Sequence, residues 1–171
     1  MTVRDLSVFP DPVLRLQCAE VDQIDEVVLC LLDDLAQSMY AHKGVGLAAP
    51  QIGETVRVIT VDVDQREGEP KLVEMINPEI VVFSEEKSDY EEGCLSFPGE
   101  AEKVVRPARV TVRAMARDGK SFEVEAEGLL ATALQHEIDH LDGVLLIDHI
   151  SRLKRAMINK RMKKRAREGN S

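Results

Sequence analysis

The strongest constraint on the fold is a stretch late in the chain, residues 128–141, with the sequence GLLATALQHEIDHL. At helical spacing, apolar side chains cover both sides of this stretch. One side carries Leu129, Thr132, Ala133 and two histidines, and the other carries Leu130, Leu134, Ile138 and Leu141. A helix that is apolar almost all round is a buried one. The sequence therefore predicts a central helix with other elements packed around it.

The segments before residue 128 predict one further helix and a series of strands. Residues 22–44 have apolar side chains at helical spacing, with Asp22 or Asp25 as the N-cap and Gly44 at the end. Residues 44–53 are predicted to be a loop because of their glycine and proline content. Apolar runs predict strands within 57–63, within 72–84 with a break at Asn77-Pro78, and a hairpin over 109–126.

This order of elements indicates the fold class. Strands in series and a central helix late in the chain favour an α+β fold over an alternating α/β fold. The predicted architecture is a set of antiparallel β-sheets packed around the central buried helix, followed by a C-terminal helix. We predict one catalytic unit over residues 1–150, with residues 151–171 as a helical tail of the same domain.

His136 and His140 of the central helix have the spacing of a metal site. They are four residues apart and therefore lie one turn above the other on one face, with Glu137 at its rim. A catalytic site of the zinc type usually has a third protein ligand and one open position. The metalloprotease pattern HExxHxxGxxH would place that ligand at position 146, which is Leu146, and His149 comes three positions too late. We therefore interpret His149 as a surface or packing histidine.

Upstream of the helix, the candidates for the third ligand are Cys94 and the acidic residues. Gly93 before Cys94 and Pro98-Gly99 after it indicate a short turn, from which a thiolate can approach the helix. One thiolate and two imidazoles leave a coordination position open, as in hydrolytic sites. The alternative is that Cys94 is an ordinary small buried residue. A His-Glu-His set on a buried helix without a partner would be costly, which favours the metal site.

Three segments of the chain resemble, in order and content, the motifs of the peptide deformylase family. They are GVGLAAPQIG at 44–53, EGCLSFPG at 92–99 and QHEIDHLDG at 135–143. The resemblance includes the DPVLR segment near the start and the hairpin, and it covers nearly the whole chain up to about residue 150. One departure is Phe97, where many members carry Ile or Val, and we expect it to alter the shape of the pocket.

The resemblance implies an enzyme that removes the formyl group from the N-terminal formyl-methionine of newly made proteins and releases formate. In the family, the cysteine of the second motif and both histidines of the third bind the metal, which are Cys94, His136 and His140 here. The implied cofactor is one divalent metal ion. Chemistry alone would favour Zn²⁺ for this ligand set, whereas the family implies Fe²⁺, and a purified sample could carry Zn²⁺, Ni²⁺ or Co²⁺.

Three residues are predicted to take part in the reaction. Glu137 would take a proton from the attacking water and pass it to the leaving amine. The resemblance implies that the side-chain amide of Gln51 and the backbone N–H of Leu95 hold the oxyanion. The alternative for Gln51 is an amide that only stabilises the glycine-rich loop.

The substrate that the resemblance implies is an N-formylmethionyl nascent peptide, which we expect to pair like a strand with the glycine-rich loop. The residues predicted to contact its backbone are Gly44, Val45 and Gly46. The residues predicted to line the pocket for the methionine side chain are Leu129, Thr132 and Ala133. Tyr90 and Glu92 are predicted to complete this pocket, and the alternative for Glu92 is a structural pair with Arg106.

The net charge of −9 is distributed unevenly along the chain. Residues 151–171 hold nine basic residues and one acidic residue, a charge of +8, whereas the first 150 hold thirteen basic and thirty acidic residues, a charge of −17. The tail is predicted to be a helix with a thin apolar stripe of Leu153, Met157, Ile158 and Met162. Such a basic helix can dock on ribosomal RNA by counterion release, as the resemblance also implies. The alternative is a solvated helix whose charge offsets that of the body.

The sequence favours a cytoplasmic location and no membrane partner. It shows neither a signal peptide nor an apolar run long enough to span a bilayer, and its three cysteines have unrelated spacings. Two rival functions remain at this point. A generic HExxH endopeptidase would need a third ligand downstream of His140, and a ribosome-associated binding protein without activity would lack a ligand or Glu137.

Overall fold

The computed structural model describes residues 2–65 and 68–169. Its helices and strands are α1 (Glu26–Ala41), β1 (Gly46–Ala48), β2 (Val58–Val61), β3 (Val73–Phe83), β4 (Lys87–Gly93), β5 (Ala101–Pro107), β6 (Arg109–Met115), β7 (Ser121–Glu127), α2 (Gly128–Leu141) and α3 (Arg152–Glu168). These strands pair in antiparallel fashion throughout, so the predicted α+β fold is confirmed. Among the described residues, none of the helices combines the length and the apolar character needed to cross a bilayer.

The larger sheet has five strands in the order β1-β2-β3-β6-β7 and is covered by a helix on each face. Successive residues of a strand point to opposite faces. Val58 of β2 accordingly belongs to one apolar cluster with Leu35 of α1. The next residue, Ile59, belongs to a second cluster with Leu134 of α2. The sheet therefore lies between α1 and α2, which explains why all four residues of β2 are buried.

The predicted burial of the central helix is confirmed. In α2, residues 131–138 are all buried, as are His140 and Leu141. Leu134 and Leu141 are fully inaccessible, and each fully buried leucine stabilises the fold by about 1.5–3 kcal/mol. Because α2 is held by the sheet on its apolar side, the side chains on its other side have fixed positions.

The first helix begins as predicted but ends earlier. The Asp25 side chain accepts a hydrogen bond from the backbone N–H of Val28, which makes it the N-cap. The helix ends at Ala41, and Lys43 takes a left-handed conformation with φ of 61°. Gly44, the predicted end, belongs instead to the connection that leads into β1.

The prediction that residues 44–53 form only a loop is wrong. Gly46–Ala48 is a buried strand that pairs with Ile59–Val61 of β2, and Ala49–Ile52 is a short 3₁₀ helix. Glycine and proline residues indicate a loop, and β1 forms a strand only because it pairs with β2. β1 lies at the edge of the sheet, and this places the glycine-rich segment beside α2.

Two further differences concern strands. The expected break at Asn77-Pro78 is a register shift within one strand, β3, and Asn77 takes a left-handed φ of 52° there. The hairpin of β4 and β5 is absent from the sequence-based predictions. Its strands form a separate two-stranded sheet and carry many charged residues, KSDYEEG and AEKVVRP. Local propensity therefore gave little indication of these two strands.

The basic tail forms the predicted helix, α3, with the Ser151 side chain as its N-cap. Only half of the predicted apolar stripe is buried, because the body covers the side of α3 that carries Ile158 and Met162 and leaves Leu153 and Met157 in solvent. Ile158 and Met162 are inaccessible and share an apolar cluster with Phe97. Leu153 and Met157 are 72% and 49% exposed, which corrects the predicted stripe.

Candidate active site

Three potential metal ligands converge beside α2. The ligand atoms of Cys94, His136 and His140 lie within 4.8 Å of one another. The two histidines occupy successive turns of α2, with ring centroids 5.0 Å apart. Cys94 directly follows β4, and its Sγ atom lies 3.4 Å from Nε2 of His140. A tight turn in which the N–H of Phe97 donates to the carbonyl of Cys94 at 2.9 Å fixes the thiol in this place.

This donor set fits a divalent metal ion. The Nδ1 atom of His136 is bound to Glu92 at 3.0 Å, which leaves Nε2 to face the cluster, as in many metal sites. Burial and the charge of His136 hold the pKa of His140 well below its ordinary value, so this ring is neutral and able to bind a metal. Burial alone would lower the pKa of His136, but Cys94 and Glu92 raise it well above its ordinary value. The negative charge that holds a proton here would also attract a cation.

Glu137 lies beside these ligands and is almost fully buried, with 4% of its surface exposed. Its Oε1 atom is buried without a hydrogen-bond partner among the described residues. Burial raises the pKa of Glu137 to about 7. A carboxylate with a pKa near neutrality can both accept and return a proton, so Glu137 has the properties of a general base.

A cavity of about 520 Å³ opens onto the cluster. Its walls come from the segment around β1, the turn after β4 and one side of α2. The predicted substrate-binding residues that line it are Gly44, Val45, Gly46, Glu92, Leu129, Thr132 and Ala133. Tyr90 is not among its lining residues in the described chain, which corrects the predicted pocket. Tyr90 precedes Cys94 by four residues of extended strand, a distance of about 13 Å, and its hydroxyl lies near Gly128.

Comparison with known proteins assigns the chain to a family. The model of the polypeptide deformylase family matches residues 3–156. The chain belongs to the polypeptide deformylase family. Members hydrolyse the N-formyl group of polypeptides, so the predicted family, enzyme class and reaction are confirmed.

Individual deformylases support this assignment over nearly the whole chain. The chain is 56% identical to the peptide deformylase of Agrobacterium fabrum, and the alignment covers 98% of both chains. It is 49% identical to the peptide deformylase of Mesorhizobium japonicum, and that alignment covers 98% of this chain and 96% of the relative. The crystal structure of a Legionella pneumophila peptide deformylase superposes with a TM-score of 0.91 at 43% identity, covering 99% of this chain and 98% of the other. A peptide deformylase of Ehrlichia chaffeensis in complex with actinonin also gives 0.91, at 38% identity, covering 96% and 98%.

Glu92 contacts one of the potential metal ligands, His136, in addition to lining the cavity. Its carboxylate accepts a hydrogen bond from His136 and two from Arg106, at 2.7 and 3.0 Å. The structural pair with Arg106, weighed as an alternative, is therefore present. The contact of Glu92 with His136 is not among the features predicted from the sequence. Alternation along a strand that leads to Cys94 could have indicated it, since a ligating histidine commonly has a carboxylate partner.

The two predicted oxyanion donors have different surroundings. The Gln51 amide nitrogen donates to Ser96 Oγ at 3.1 Å and faces Cys94 Sγ at 3.7 Å, while its oxygen accepts from the N–H of Ala48. Gln51 therefore does stabilise the loop, and one of its N–H groups also points towards the ligand cluster. The backbone N–H of Leu95 donates no hydrogen bond within residues 2–65 and 68–169. Leu95 is among the residues that line the cavity.

Gly46 permits the close approach of β1 to Glu137, and this predicts the effect of a substitution. A Cβ atom at residue 46 would lie 2.5 Å from Oε2 and 2.9 Å from Cγ of Glu137. We expect Gly46→Ala to displace the carboxylate and lower kcat by about 100-fold, as a misplacement of about 1 Å can do. Gly68→Ala is the control, because its Cβ would meet nothing within 4 Å. Steady-state assays with metal analysis test this, and a Gly46→Ala variant with normal kcat would contradict it.

Proposed function

We propose that this chain hydrolyses the formyl group of N-formylmethionyl nascent peptides with one divalent metal ion held by Cys94, His136 and His140. The observation that carries the proposal is the convergence of these ligand atoms within 4.8 Å, beside Glu137 in an open cavity. Family membership supports the reaction, and the geometry of these residues supports the roles proposed for them. The native ion is Fe²⁺, as the family resemblance implies, although the ligand set alone would favour Zn²⁺.

The chain's own groups account for the proton transfers and for the charge on the intermediate. A bound divalent ion supplies Lewis-acid activation of water and of the formyl oxygen. Glu137 accepts the proton of the attacking water and donates it to the nitrogen of the leaving amine. The N–H groups of Leu95 and Gln51 stabilise the negative oxygen of the tetrahedral intermediate, where removing one such donor typically costs about 10²–10³-fold in rate.

The peptide would bind along the free edge of β1. As an edge strand, β1 leaves backbone groups available for one more strand, and its Gly46 end lines the cavity. The methionine side chain would enter the cavity beside Leu129, Thr132 and Ala133 of α2. Thr132 and Ala133 are buried, whereas Leu129 is 45% exposed, so the pocket is buried at its base and open to solvent at its rim.

A large residue at position 133 is expected to block this pocket. Ala133→Phe should raise the KM for formyl-Met peptides at least tenfold, since a buried methionine side chain contributes about 1.5–3 kcal/mol. Metal binding should be unchanged, because the histidine ligands remain in place. Ala133→Val provides a graded comparison with a smaller expected increase. An unchanged KM for Ala133→Phe would place the methionine pocket elsewhere.

The reaction itself can be tested with matched peptides. We expect formyl-Met-Ala-Ser to lose the formyl group and acetyl-Met-Ala-Ser to remain intact, with mass spectrometry identifying the products. Formate and a free amino terminus should appear in equal amounts. Cleavage of internal peptide bonds without release of formate would overturn the proposal and favour the endopeptidase.

We further infer that α3 docks on the ribosome and that the enzyme works in the cytoplasm, where nascent chains emerge. Three of its basic residues bind carboxylates of the body: Lys154 binds Glu102, Arg155 binds Asp148 and Arg161 binds Glu100. The other basic side chains of the helix are exposed, among them Lys160, Lys163 and Lys164. An exposed cluster of this kind binds RNA phosphates through counterion release.

Charge removal tests this docking better than truncation does, because Ile158 and Met162 are part of the apolar cluster around Phe97. We expect lysine-to-glutamine changes at 160, 163 and 164 to weaken ribosome co-sedimentation. In a plot of the logarithm of the binding constant against the logarithm of the salt concentration, the slope should become shallower by roughly one for each lysine removed. The control changes Lys87, Lys103 and Lys120, exposed lysines of the body. Equal sedimentation of both triple variants and the wild type would show that α3 is only a solvated helix.

A further inference from the structure

The fourth histidine of the chain, His149, has a defined partner that the proposed reaction does not use. It ends the 3₁₀ helix Leu146–His149, which follows α2. Its Nε2 atom donates to Oδ2 of Asp139 at 2.8 Å. Asp139 lies on α2 next to the ligand His140, and the same oxygen accepts a hydrogen bond from Nη1 of Arg106 at 2.8 Å. His149 and Arg106 therefore hold one carboxylate between them.

Arg106 continues this chain of contacts to the metal ligands. Its Nε and Nη2 atoms donate to the two oxygens of Glu92, and Oε1 of Glu92 accepts the Nδ1 hydrogen of His136. The side chains of Glu92 and Arg106 are only 4% and 7% exposed. Charged hydrogen bonds in such dry surroundings are strong, and each one constrains the next. An uninterrupted series of hydrogen bonds thus links His149 to the ring of His136.

We propose that Asp139 and His149 are positioning residues of the metal centre. Glu92 can orient the ring of His136 only while the guanidinium that binds both of its oxygens keeps its place. Asp139 anchors that guanidinium on its other side, and His149 in turn fixes the carboxylate of Asp139. Loss of either residue lets Arg106 and Glu92 shift, and the ring of His136 then meets the metal in a poorer orientation. This inference rests on the proposed function, since it takes His136 to be a ligand.

The two residues are separate from the substrate site. Asp139 and His149 line a second cavity of about 760 Å³, together with Arg106, Gln135 and Asp142. The α2 residues that line this cavity lie on a different side of the helix from those that line the substrate cavity. Asp139 and His149 themselves do not line the substrate cavity, and the hydrogen bonds that connect them to His136 run through Arg106 and Glu92.

The same cavity offers a matched control. Asp142 follows α2 and accepts a hydrogen bond from Nη1 of Arg57 at 2.8 Å. Like Asp139 it pairs with an arginine at the C-terminal end of the helix, but within the described residues this pair has no contact with Glu92 or His136. Asp142→Asn therefore removes a comparable charge without interrupting the proposed series.

The test measures Co²⁺ affinity through the absorption of thiolate-bound cobalt, and it measures the unfolding free energy of the metal-free proteins. Asp139→Asn should weaken Co²⁺ binding about tenfold, the lower end of what the loss of such a partner costs. Asp142→Asn should not weaken it. His149→Ala should cause a smaller loss in the same direction, and His149→Gln, which keeps an N–H donor, should restore affinity. In the Asp139→Asn background, His149→Ala should add little, since it acts through Asp139.

The outcomes separate this inference from the proposed function. Equal Co²⁺ affinity in Asp139→Asn and the wild type, with only a lower unfolding free energy, would overturn the positioning role. Equal losses in Asp139→Asn and Asp142→Asn would also overturn it, since the effect would then be one of general stability. A wild-type protein that shows no thiolate-bound cobalt would instead overturn the proposed ligand set.

Discussion

Replacing Glu137 by glutamine is expected to lower kcat by about 10²–10⁴-fold, the usual contribution of a general acid–base group. The physical reason is that the amide cannot accept the proton of the attacking water. Glutamine has nearly the same size, so it should fit beside Gly46 and leave the ligands in place. Rates under saturating substrate and metal content of the same sample measure both parts of the prediction.

The control for this variant is Glu125→Gln, an exposed glutamate of β7, which should retain full kcat. A Glu137→Gln enzyme with most of its rate and a full complement of metal would show that another group moves the proton. A variant that lost both metal and rate would assign Glu137 to metal binding instead.

Removal of a ligand should have an effect of at least the same size. Structural zinc sites with four ligands bind with roughly 10–16 kcal/mol, so one ligand accounts for about 3 kcal/mol, or about a hundredfold in affinity. Cys94→Ala and His140→Ala should therefore purify with little metal and show no measurable formate release. Cys30→Ala removes an exposed cysteine and serves as the control. Metal analysis after gel filtration decides the matter, and a full equivalent of metal in Cys94→Ala would contradict the ligand assignment.

The parts of the site that the sequence predicts are those set by local geometry. His136, Glu137 and His140 are arranged by the helix itself, and the apolar residues around them already indicate that the helix is buried. Helical spacing alone does not identify Cys94, since the approach of its thiol to the two histidines depends on the turn after β4. The resemblance of three linked motifs identified it, and the structure brings its thiol to His140.

What the sequence did not predict depends on contacts between distant segments. β1 is a strand because β2 pairs with it, whereas its own glycines favour a loop. Tyr90 and Glu92 are two residues apart on one strand, yet only Glu92 reaches the cavity, because the strand leads away from Cys94. The link from Glu92 through Arg106 and Asp139 to His149 joins β4, β5, α2 and the 3₁₀ helix that follows α2. No spacing in the chain indicates such a link before the fold is known.

The most direct test of the account is formate release from a formyl-methionyl peptide by protein purified without oxygen, with bound metal measured on the same sample. We predict about one divalent ion per chain, formate in proportion to that ion, loss of activity on chelation and recovery on addition of Fe²⁺. Formate release that persists after the metal is removed would contradict the account. So would a sample with one ion per chain that leaves the formyl peptide intact.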